Sequence, residues 1–356
     1  MRRLLAIFVL LLLLAAGATA WGAWSLNQPY RNFPAEGVFV DIPHGAARRT
    51  VARLLADQGV VRNRLVFEAL TRLHSERTLQ AGEYFFDRPA TPFEVFDKIA
   101  GGHIFVRELV VPEGYSIFEI ADLVQREGLT TREDFLAAAR NPQLARGFVP
   151  GAPSLEGFLF PATYQFPRHL SGQDIAAAMV RRFQQEWETV SAEGHNPAGL
   201  SVQQAVTLAS LVERETPRPE ERPLVAGVFL NRLNHHIPLQ CDPTVSYAME
   251  LDGKFSGKLE ASDLHFESPY NTYRHIGLPP GPIANPGAMS LRAAFDPTST
   301  DLVYFVANAE GGHLFSRTLA EHNRNVAHYR QLLAQQRRAA RLASATATAT
   351  SPERSP

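Results

Sequence analysis

Cysteine is almost absent from this sequence: its 356 residues include one, Cys241. A single cysteine excludes an internal disulfide framework and a thiolate-rich zinc site, so we interpret Cys241 as a small structural side chain. A charge bias is lacking as well, because 35 Lys and Arg balance 36 Asp and Glu to a net charge of -1. This balance gives no general attraction to nucleic acid, and no nucleic-acid partner is expected.

Motifs for metals, cofactors and nucleophilic catalysis are also missing from the sequence. There is no H-E-x-x-H among the twelve histidines, and the adjacent pair His235 and His236 would project to different sides. Neither a Walker nor a dinucleotide fingerprint occurs, and Ser210 does not stand in a nucleophile elbow. We therefore expect neither a metal nor a cofactor.

The N-terminus carries the clearest local signal. Arg2 and Arg3 precede an uncharged, mainly apolar run from Leu4 to Leu26, which at 1.5 Å per residue could cross a hydrocarbon core of about 30 Å. The positive-inside rule places the arginines in the cytoplasm and the rest of the chain across the membrane. The alternative is a signal peptide cleaved after Ala20, but the apolar run continues past that site, which favours an uncleaved anchor.

An internal repeat follows the anchor. Ile42-Pro43-His44-Gly45 precedes a helical run that stops at Gly59, and Val111-Pro112-Glu113-Gly114 precedes a similar run that stops at Gly128. The pattern predicts strand, turn, helix and terminal glycine, used twice.

Between the two copies, the sequence predicts a second helix around Phe67, a returning strand over residues 81–86 and a further helix with Thr91 as N-cap and Pro92 at its first position. Such a strand-helix-helix-strand unit resembles the LysM-type carbohydrate-binding fold. The alternative is a spacer module that binds nothing.

The remaining chain is predicted to be mainly helical. We expect helices from Ile175 to Val190, from Ser201 as N-cap to Pro217, and from Leu319 to Arg338. The predicted class is α+β, with an N-terminal transmembrane helix, a LysM-like α+β module and a C-terminal, mainly helical catalytic domain. The predicted divisions are an anchor at 1–26, a linker at 27–37, the module at 38–150, the catalytic domain at 151–340 and a low-complexity, disordered tail at 341–356.

Two carboxyls stand at the end of the helix that begins at Ser201. Glu213 and Glu215 fall on opposite flanks of its apolar stripe, and periodicity does not choose between them. A carboxyl in the last helical turn feels the negative end of the macrodipole, which suits a proton donor. Two solvated glutamates at an exposed helix end are the alternative.

At this helix the chain resembles the endolytic murein transglycosylases (MltG, or YceG-like), and the resemblance extends over the whole part after the anchor. The resemblance rests on six segments: Leu208 to Thr216, Val228 to Leu233, Leu239 to Val245, Tyr270 to Tyr273, Gly277 to Gly287 and Tyr304 to Ala307. The family's catalytic glutamate directly precedes a threonine, which implies that Glu215 is the catalytic residue here.

The resemblance implies a lyase that cuts the bond between N-acetylmuramic acid and N-acetylglucosamine of nascent peptidoglycan strands, leaves 1,6-anhydro ends and so terminates strand elongation. A lone carboxyl can serve both as acid and as base because the muramic C6 hydroxyl is the nucleophile. Peptidoglycan strands are the expected partner, with peptidoglycan synthases (penicillin-binding proteins) as further ones. The expected location is the bacterial inner membrane, with a single span and a periplasmic C-terminal part.

Polar and aromatic residues in the matching segments are the candidate walls of a substrate cleft. Short polar groups around a proline, and tyrosines beside amide and hydroxyl groups, suit sugars. The predicted substrate-binding residues are Gln240, Asp242, Thr244, Tyr270, Asn271, Thr272 and Tyr273. The alternative for each is a side chain that only satisfies backbone groups of a packed loop.

Two other functions stay open at this point. A non-catalytic scaffold of the wall-synthesis machinery would keep the fold but not the chemistry. A hydrolysing muramidase would need a second carboxylate facing Glu215, for which Asp242 is the best candidate.

Overall fold

The structure is a computed structural model that describes residues 2–168 and 170–349. It divides into two compact units, Met1–Arg107 and Glu108–Pro356. This division falls inside the segment predicted as the LysM-like module, and the predicted boundary at 150/151 stays a prediction.

The first unit begins with a long apolar helix, α1 (Arg2–Leu26). Its stretch Leu5–Leu26 is long and apolar enough to cross a membrane, by length and composition. Next come β1 (Val38–Ile42), α2 (Arg48–Asp57), α3 (Arg64–Leu73), β2 (Gly82–Phe86) and α4 (Pro92–Ala100). Both strands pair antiparallel, with Val40 opposite Tyr84, and both of these side chains are buried in the core of the unit.

The second unit repeats this order before adding its own elements. It begins within β3 (Arg107–Val110), whose first residue is the last of the first unit, and continues with α5 (Ile117–Arg126), α6 (Arg132–Arg140), β4 (Thr163–Phe166) and α7 (Gly172–Glu193). Strand β3 pairs with β4. Then follow α8 (Val202–Glu215), α9 (Arg222–Asn234), α10 (Asp242–Leu251), α11 (Ala288–Phe295), β5 (Tyr304–Ala307), β6 (His313–Ser316) and α12 (Leu319–Ala349). Strands β5 and β6 form an antiparallel hairpin. The predicted mixture of helices and small sheets is confirmed.

The predicted repeat is present in both units. Gly45 and Gly114 have φ of +72° and +79° in the turns after β1 and β3, and Gly59 and Gly128 have positive φ after α2 and α5. A positive φ favours glycine, because other residues meet a steric penalty there. The glycine spacing that indicated strand, turn and helix therefore reflects a backbone requirement at each turn.

Helix capping follows the predicted residues. Thr91 caps α4 and Ser201 caps α8, each in a capping box with Glu94 and Gln204 respectively. The last helix differs from its prediction, because α12 continues past Arg338 to Ala349 and so enters the predicted disordered tail. Its alanine-rich sequence explains the extension, since alanine is the strongest helix former. The end of that tail, residues 350–356, lies outside the described residues.

A buried polar network ties three loops of the second unit together. Glu156, whose residue surface is 1% exposed, accepts hydrogen bonds from the backbone N–H of Ile117 (3.0 Å) and from Asn285 Nδ2 (2.8 Å). Asn285 also accepts from the backbone N–H of Leu159 at 2.9 Å. Burial raises the pKa of Glu156 to about 8, although the Ile117 hydrogen bond opposes the rise.

Candidate active site

Helix α8 carries both candidate carboxyls into the centre of the second unit. Residues Ala205 to Val212 are buried, and the helix packs against α9 and α11. The helix ends at Glu215, and Thr216 follows as an extended C-cap that is 1% exposed. Because the core fixes the helix on its buried face, the side chains of its last turn have fixed directions.

Glu213 is committed to a buried ion pair. Its side chain is 5% exposed, lies 2.7 Å from the guanidinium of Arg222, and accepts a hydrogen bond from the backbone N–H of Gly287 at 3.0 Å. Burial raises the pKa of Glu213, while the Gly287 hydrogen bond and Arg222 oppose the rise. Glu213 therefore anchors the end of α8 to neighbouring segments, and both of its oxygens are in use.

Glu215 faces a cleft instead. It is half-buried, reaches solvent through this cleft and is otherwise surrounded by protein. That burial raises the pKa of Glu215 to about 7; the Cys241 thiol beside it lowers this pKa, and the negative charge of Asp242 raises it. A carboxyl with this pKa is present in both its acid and its carboxylate forms near neutral pH.

The cleft around Glu215 has a volume of about 730 Å³. Its walls come from the last turns of α8 and α9, the segment that leads into α10, the loop at Tyr273, the β5–β6 hairpin and α12. The lining residues are Glu215, Arg232, Leu239, Gln240, Asp242, Tyr273, Tyr304, Phe305, Val306, Ala307, His313, Leu319, His322, Asn323 and Arg330.

Three of the predicted substrate-binding residues, Gln240, Asp242 and Tyr273, line this cleft. The phenol of Tyr273 donates a hydrogen bond to the Asp242 carboxylate. Gln240 has a φ of +54° and accepts a hydrogen bond from Arg232 at 2.6 Å. These side chains place two polar groups and one aromatic face beside Glu215.

Thr244 and Thr272 lie behind the cleft wall. Both are fully buried, and their hydroxyl oxygens are 2.9 Å apart. Thr272 Oγ1 also accepts from the backbone N–H of Cys241 at 3.0 Å, and Thr244 donates to the Cys241 carbonyl at 2.7 Å. The two threonines therefore hold the backbone of Cys241, which stands between two cleft residues.

Asn271 and Tyr270 also lie away from the cleft lining. Asn271 is buried, donates to the carbonyls of Leu264 and Phe266, and accepts from the backbone N–H of Tyr273. Tyr270 packs its ring against Tyr247, with the ring centroids 5.2 Å apart. Asn271 and Tyr270 thus match the alternative given for these residues in the sequence analysis, in which the side chain only supports a packed loop.

The YceG-like family model matches residues 40–328 of this sequence. The chain belongs to the YceG-like family. An endolytic murein transglycosylase of Bacillus subtilis (strain 168) is 33% identical over 328 residues, which cover 88% of this chain and 90% of that protein. The endolytic murein transglycosylase of Streptococcus pneumoniae (strain D39) is 30% identical over 82% of this chain, which spans 58% of that longer protein.

A solved structure agrees with the family assignment. The crystal structure of a yceG-like protein from Listeria monocytogenes is 33% identical in sequence and matches with a TM-score of 0.54. The match covers 82% of this chain and 99% of that one. The predicted membership of the YceG-like family is thereby confirmed.

The structure of this YceG-like chain places one interpreted residue beside Glu215 and adds cleft residues that the sequence did not single out. Cys241, interpreted as a structural residue, is buried and its thiol interacts with Glu215; burial raises the pKa of the thiol well above its ordinary value. His313 and Arg232 line the cleft too. Residues Tyr304 to Ala307 also line the cleft, and in the sequence only their place among the segments that resemble the family pointed to them. Among residues 2–168 and 170–349, no group of three or more His, Cys, Asp or Glu could hold a metal ion.

Proposed function

We propose that this chain is an endolytic peptidoglycan lytic transglycosylase, a lyase that cuts the bond between N-acetylmuramic acid and N-acetylglucosamine in nascent strands and so terminates their elongation. The observation that carries the proposal is Glu215, a carboxyl with a pKa of about 7 on the wall of a cleft about 730 Å³ in volume. The murein transglycosylases among its relatives support the substrate class.

The reaction requires one group that acts first as an acid and then as a base. Protonated Glu215 donates to the glycosidic oxygen while the bond from that oxygen to the muramic C1 breaks. The resulting carboxylate then takes the proton of the muramic C6 hydroxyl, whose oxygen bonds to C1. The product carries a 1,6-anhydro ring, Glu215 regains its proton, and no water is consumed. A pKa near neutrality makes both halves of this cycle accessible at one pH.

Asp242 supports the acid form of Glu215 in this scheme. Its negative charge raises the pKa of Glu215, and it is held in place by the Tyr273 phenol. A hydrolase would use a second carboxylate to activate water, whereas ring closure by the substrate needs none. Gln240 and Tyr273 would then position the sugar and limit the entry of water.

Mass spectrometry of the glycan products tests this proposal. Purified protein incubated with uncrosslinked strands should release fragments of several disaccharides that end in 1,6-anhydro-muramic acid. Reducing ends heavier by one water would show hydrolysis. Release of single disaccharides alone would contradict cutting within strands, and the absence of any cutting would favour the non-catalytic scaffold.

We propose further that the first unit binds glycan as a LysM-like module. Its order of strand, helix, helix and strand (β1, α2, α3, β2) supports this, and a cavity of about 530 Å³ beside β2 and α4 offers room for a sugar. Arg88 and His103 are among its lining residues. Replacing both with alanine in the full chain should weaken cosedimentation with purified peptidoglycan, and unchanged binding would contradict the module's role.

The location follows from α1 in this proposal. We expect Leu5–Leu26 to anchor the chain in the inner membrane, with the remainder in the periplasm close to peptidoglycan synthases. The protein should stay in the membrane fraction after carbonate and high-salt washes. A soluble form beginning at Trp21 would instead show cleavage after Ala20. Crosslinking in cells would test contact with a penicillin-binding protein.

A further inference from the structure

The segment directly after the proposed catalytic glutamate clamps one wall of the cleft. Thr216 donates its hydroxyl to Glu221 Oε2 at 3.2 Å and accepts from the backbone N–H of Arg218 at 3.2 Å. The Arg218 guanidinium in turn donates to the carbonyls of Gly311 (3.1 Å) and Glu310 at the tip of the β5–β6 hairpin. The end of the catalytic helix and the hairpin tip are therefore joined by a short chain of hydrogen bonds.

Glu221 is the centre of this clamp, and His313 is its partner on the hairpin. One carboxylate oxygen accepts from the backbone N–H of His313 at 3.0 Å, and the other lies 2.7 Å from His313 Nδ1. The side chains of His313 and Glu221 are 9% and 14% exposed. Burial alone would raise the pKa of Glu221, but the hydrogen bonds from His313 outweigh it and lower that pKa.

The contact between Glu221 and His313 is closely packed on both sides. Gly312 precedes His313, and a Cβ added to it would lie 2.4 Å from Glu221 Oε1. A larger residue would therefore push the carboxylate away from His313. The ring of Phe305 meets the imidazole edge to face, with the ring centroids 5.2 Å apart, and so fixes its orientation on the other side.

The contact with Glu221 decides which imidazole nitrogen is free. An ionised carboxylate only accepts hydrogen bonds, so Nδ1 must carry the hydrogen. Within the part of the chain that the structure describes, Nε2 has no hydrogen-bond partner, and His313 lines the same cleft as Glu215. In the neutral imidazole this nitrogen is an acceptor, which suits the hydroxyl and acetamido N–H groups of a sugar.

We propose that His313 is a substrate-binding residue of the Glu215 cleft, with Nε2 accepting a hydrogen bond from the N-acetylated sugar, and that Glu221 is the positioning residue that holds it. This inference rests on the proposed function for its substrate class. Glu221 also accepts a hydrogen bond from Thr216, which directly follows Glu215. The position of the sugar contact at His313 is therefore linked to the position of the proposed acid/base, Glu215.

Two amide substitutions separate the roles of the two nitrogens. His313→Asn keeps a polar atom near Nδ1 and removes the one near Nε2, whereas His313→Gln does the reverse. We expect His313→Asn to fold with an unchanged melting temperature and to lower kcat/KM about tenfold, mainly through KM, as for one lost hydrogen bond. His313→Gln should recover part of this loss. The control is His195→Ala, whose exposed side chain lies outside the cleft lining.

A double-mutant cycle tests Glu221. If it acts through His313, Glu221→Ala should lower kcat/KM in the wild-type background and change it little in a His313→Ala background. Equal losses in both backgrounds would overturn the positioning role. Wild-type kinetics for His313→Asn would overturn the sugar contact.

A binding measurement keeps this proposal separate from the catalytic one. In a Glu215→Gln background, calorimetry with strands of alternating N-acetylglucosamine and N-acetylmuramic acid should give a Kd about tenfold weaker when His313→Asn is added. If the wild-type protein proves not to cut but this difference persists, the proposed function fails and the sugar contact stands. Equal Kd values would overturn the contact even if cutting is observed.

Discussion

Glu213 and Glu215 lie two positions apart in the last turn of α8, yet one is locked in an ion pair with Arg222 and the other faces an open cleft. Their different surroundings follow from helical geometry, because residues two apart point in very different directions. Glu213 uses its charge to hold a loop, and Glu215 keeps its proton available. Under the proposed function, the pair separates a structural carboxyl from a reactive one within a single helical turn.

This separation predicts opposite consequences for two matched substitutions. Glu215→Gln should keep the melting temperature and lower the cutting rate by about 100-fold or more, because the amide cannot transfer the proton. Glu213→Gln should keep the chemistry but lower the free energy of unfolding by about 1–3 kcal/mol, because it removes the charge that pairs with Arg222. Strand-cutting assays and urea unfolding of both variants distinguish these effects. The reverse ranking in activity would move the catalytic role to Glu213.

Asp242 should set the pH range of the enzyme. Its negative charge raises the pKa of Glu215, so Asp242→Asn should lower that pKa. The acid form of Glu215 would then be lost at a lower pH, and the alkaline limb of the kcat/KM profile should move in the same direction. The products should keep their 1,6-anhydro ends. An unmoved limb would show that the charge of Asp242 does not act on Glu215 in solution.

Glu156 should make the folded state sensitive to alkaline pH. Its folded pKa of about 8 lies above the ordinary 4.5, so between these values the folded protein binds more protons than the unfolded chain. Stability therefore falls as the pH rises through this window. Glu156→Gln keeps the shape and the acceptor for Ile117 but cannot ionise. The melting temperature of the variant, relative to that of the wild type, should therefore rise as the pH is raised from about 5 to about 8. Parallel melting curves at both pH values would contradict the prediction.

The buried threonines should matter for stability rather than for binding. Thr272→Val removes the acceptor of the Cys241 N–H and should cost about 1–3 kcal/mol in the free energy of unfolding. Gln240→Ala, on the cleft wall, should change the melting temperature little and raise KM for glycan strands. Urea unfolding and steady-state kinetics of the two variants separate these roles. A raised KM with unchanged stability in Thr272→Val would return that residue to the substrate site.

The elements with local signals were predictable from the sequence. Ser201 and Thr91 mark helix starts because their side chains satisfy free backbone N–H groups at the first turn. Gly45 and Gly114 mark turns because the backbone there requires a positive φ. Glu215 was a different case: periodicity left it equivalent to Glu213, and the resemblance to a known family was needed to choose between them.

Contacts between distant segments were not predictable in this way. Cys241 meets Glu215 at the end of α8, and two buried threonines, one of them from a distant part of the sequence, hold the backbone of Cys241 in place. Similarly, the link from Glu221 to His313 joins segments far apart in the sequence. Nothing in the local pattern distinguishes Thr244, which supports a wall, from Gln240, which forms one. Such roles depend on which groups the folded chain has already satisfied.

The two copies of the glycine turn are not equally free to change. Gly114 sits against Glu213 and Arg214, and its carbonyl accepts a hydrogen bond from Arg214 at 2.9 Å. Gly45, the equivalent residue of the first copy, is exposed and has open space where a side chain would be. Exposed turns with open surroundings tolerate inserted sequence. The turn at Gly45 is thus a suitable place for an internal epitope or fluorophore that would follow the protein in living cells and leave the cutting machinery untouched.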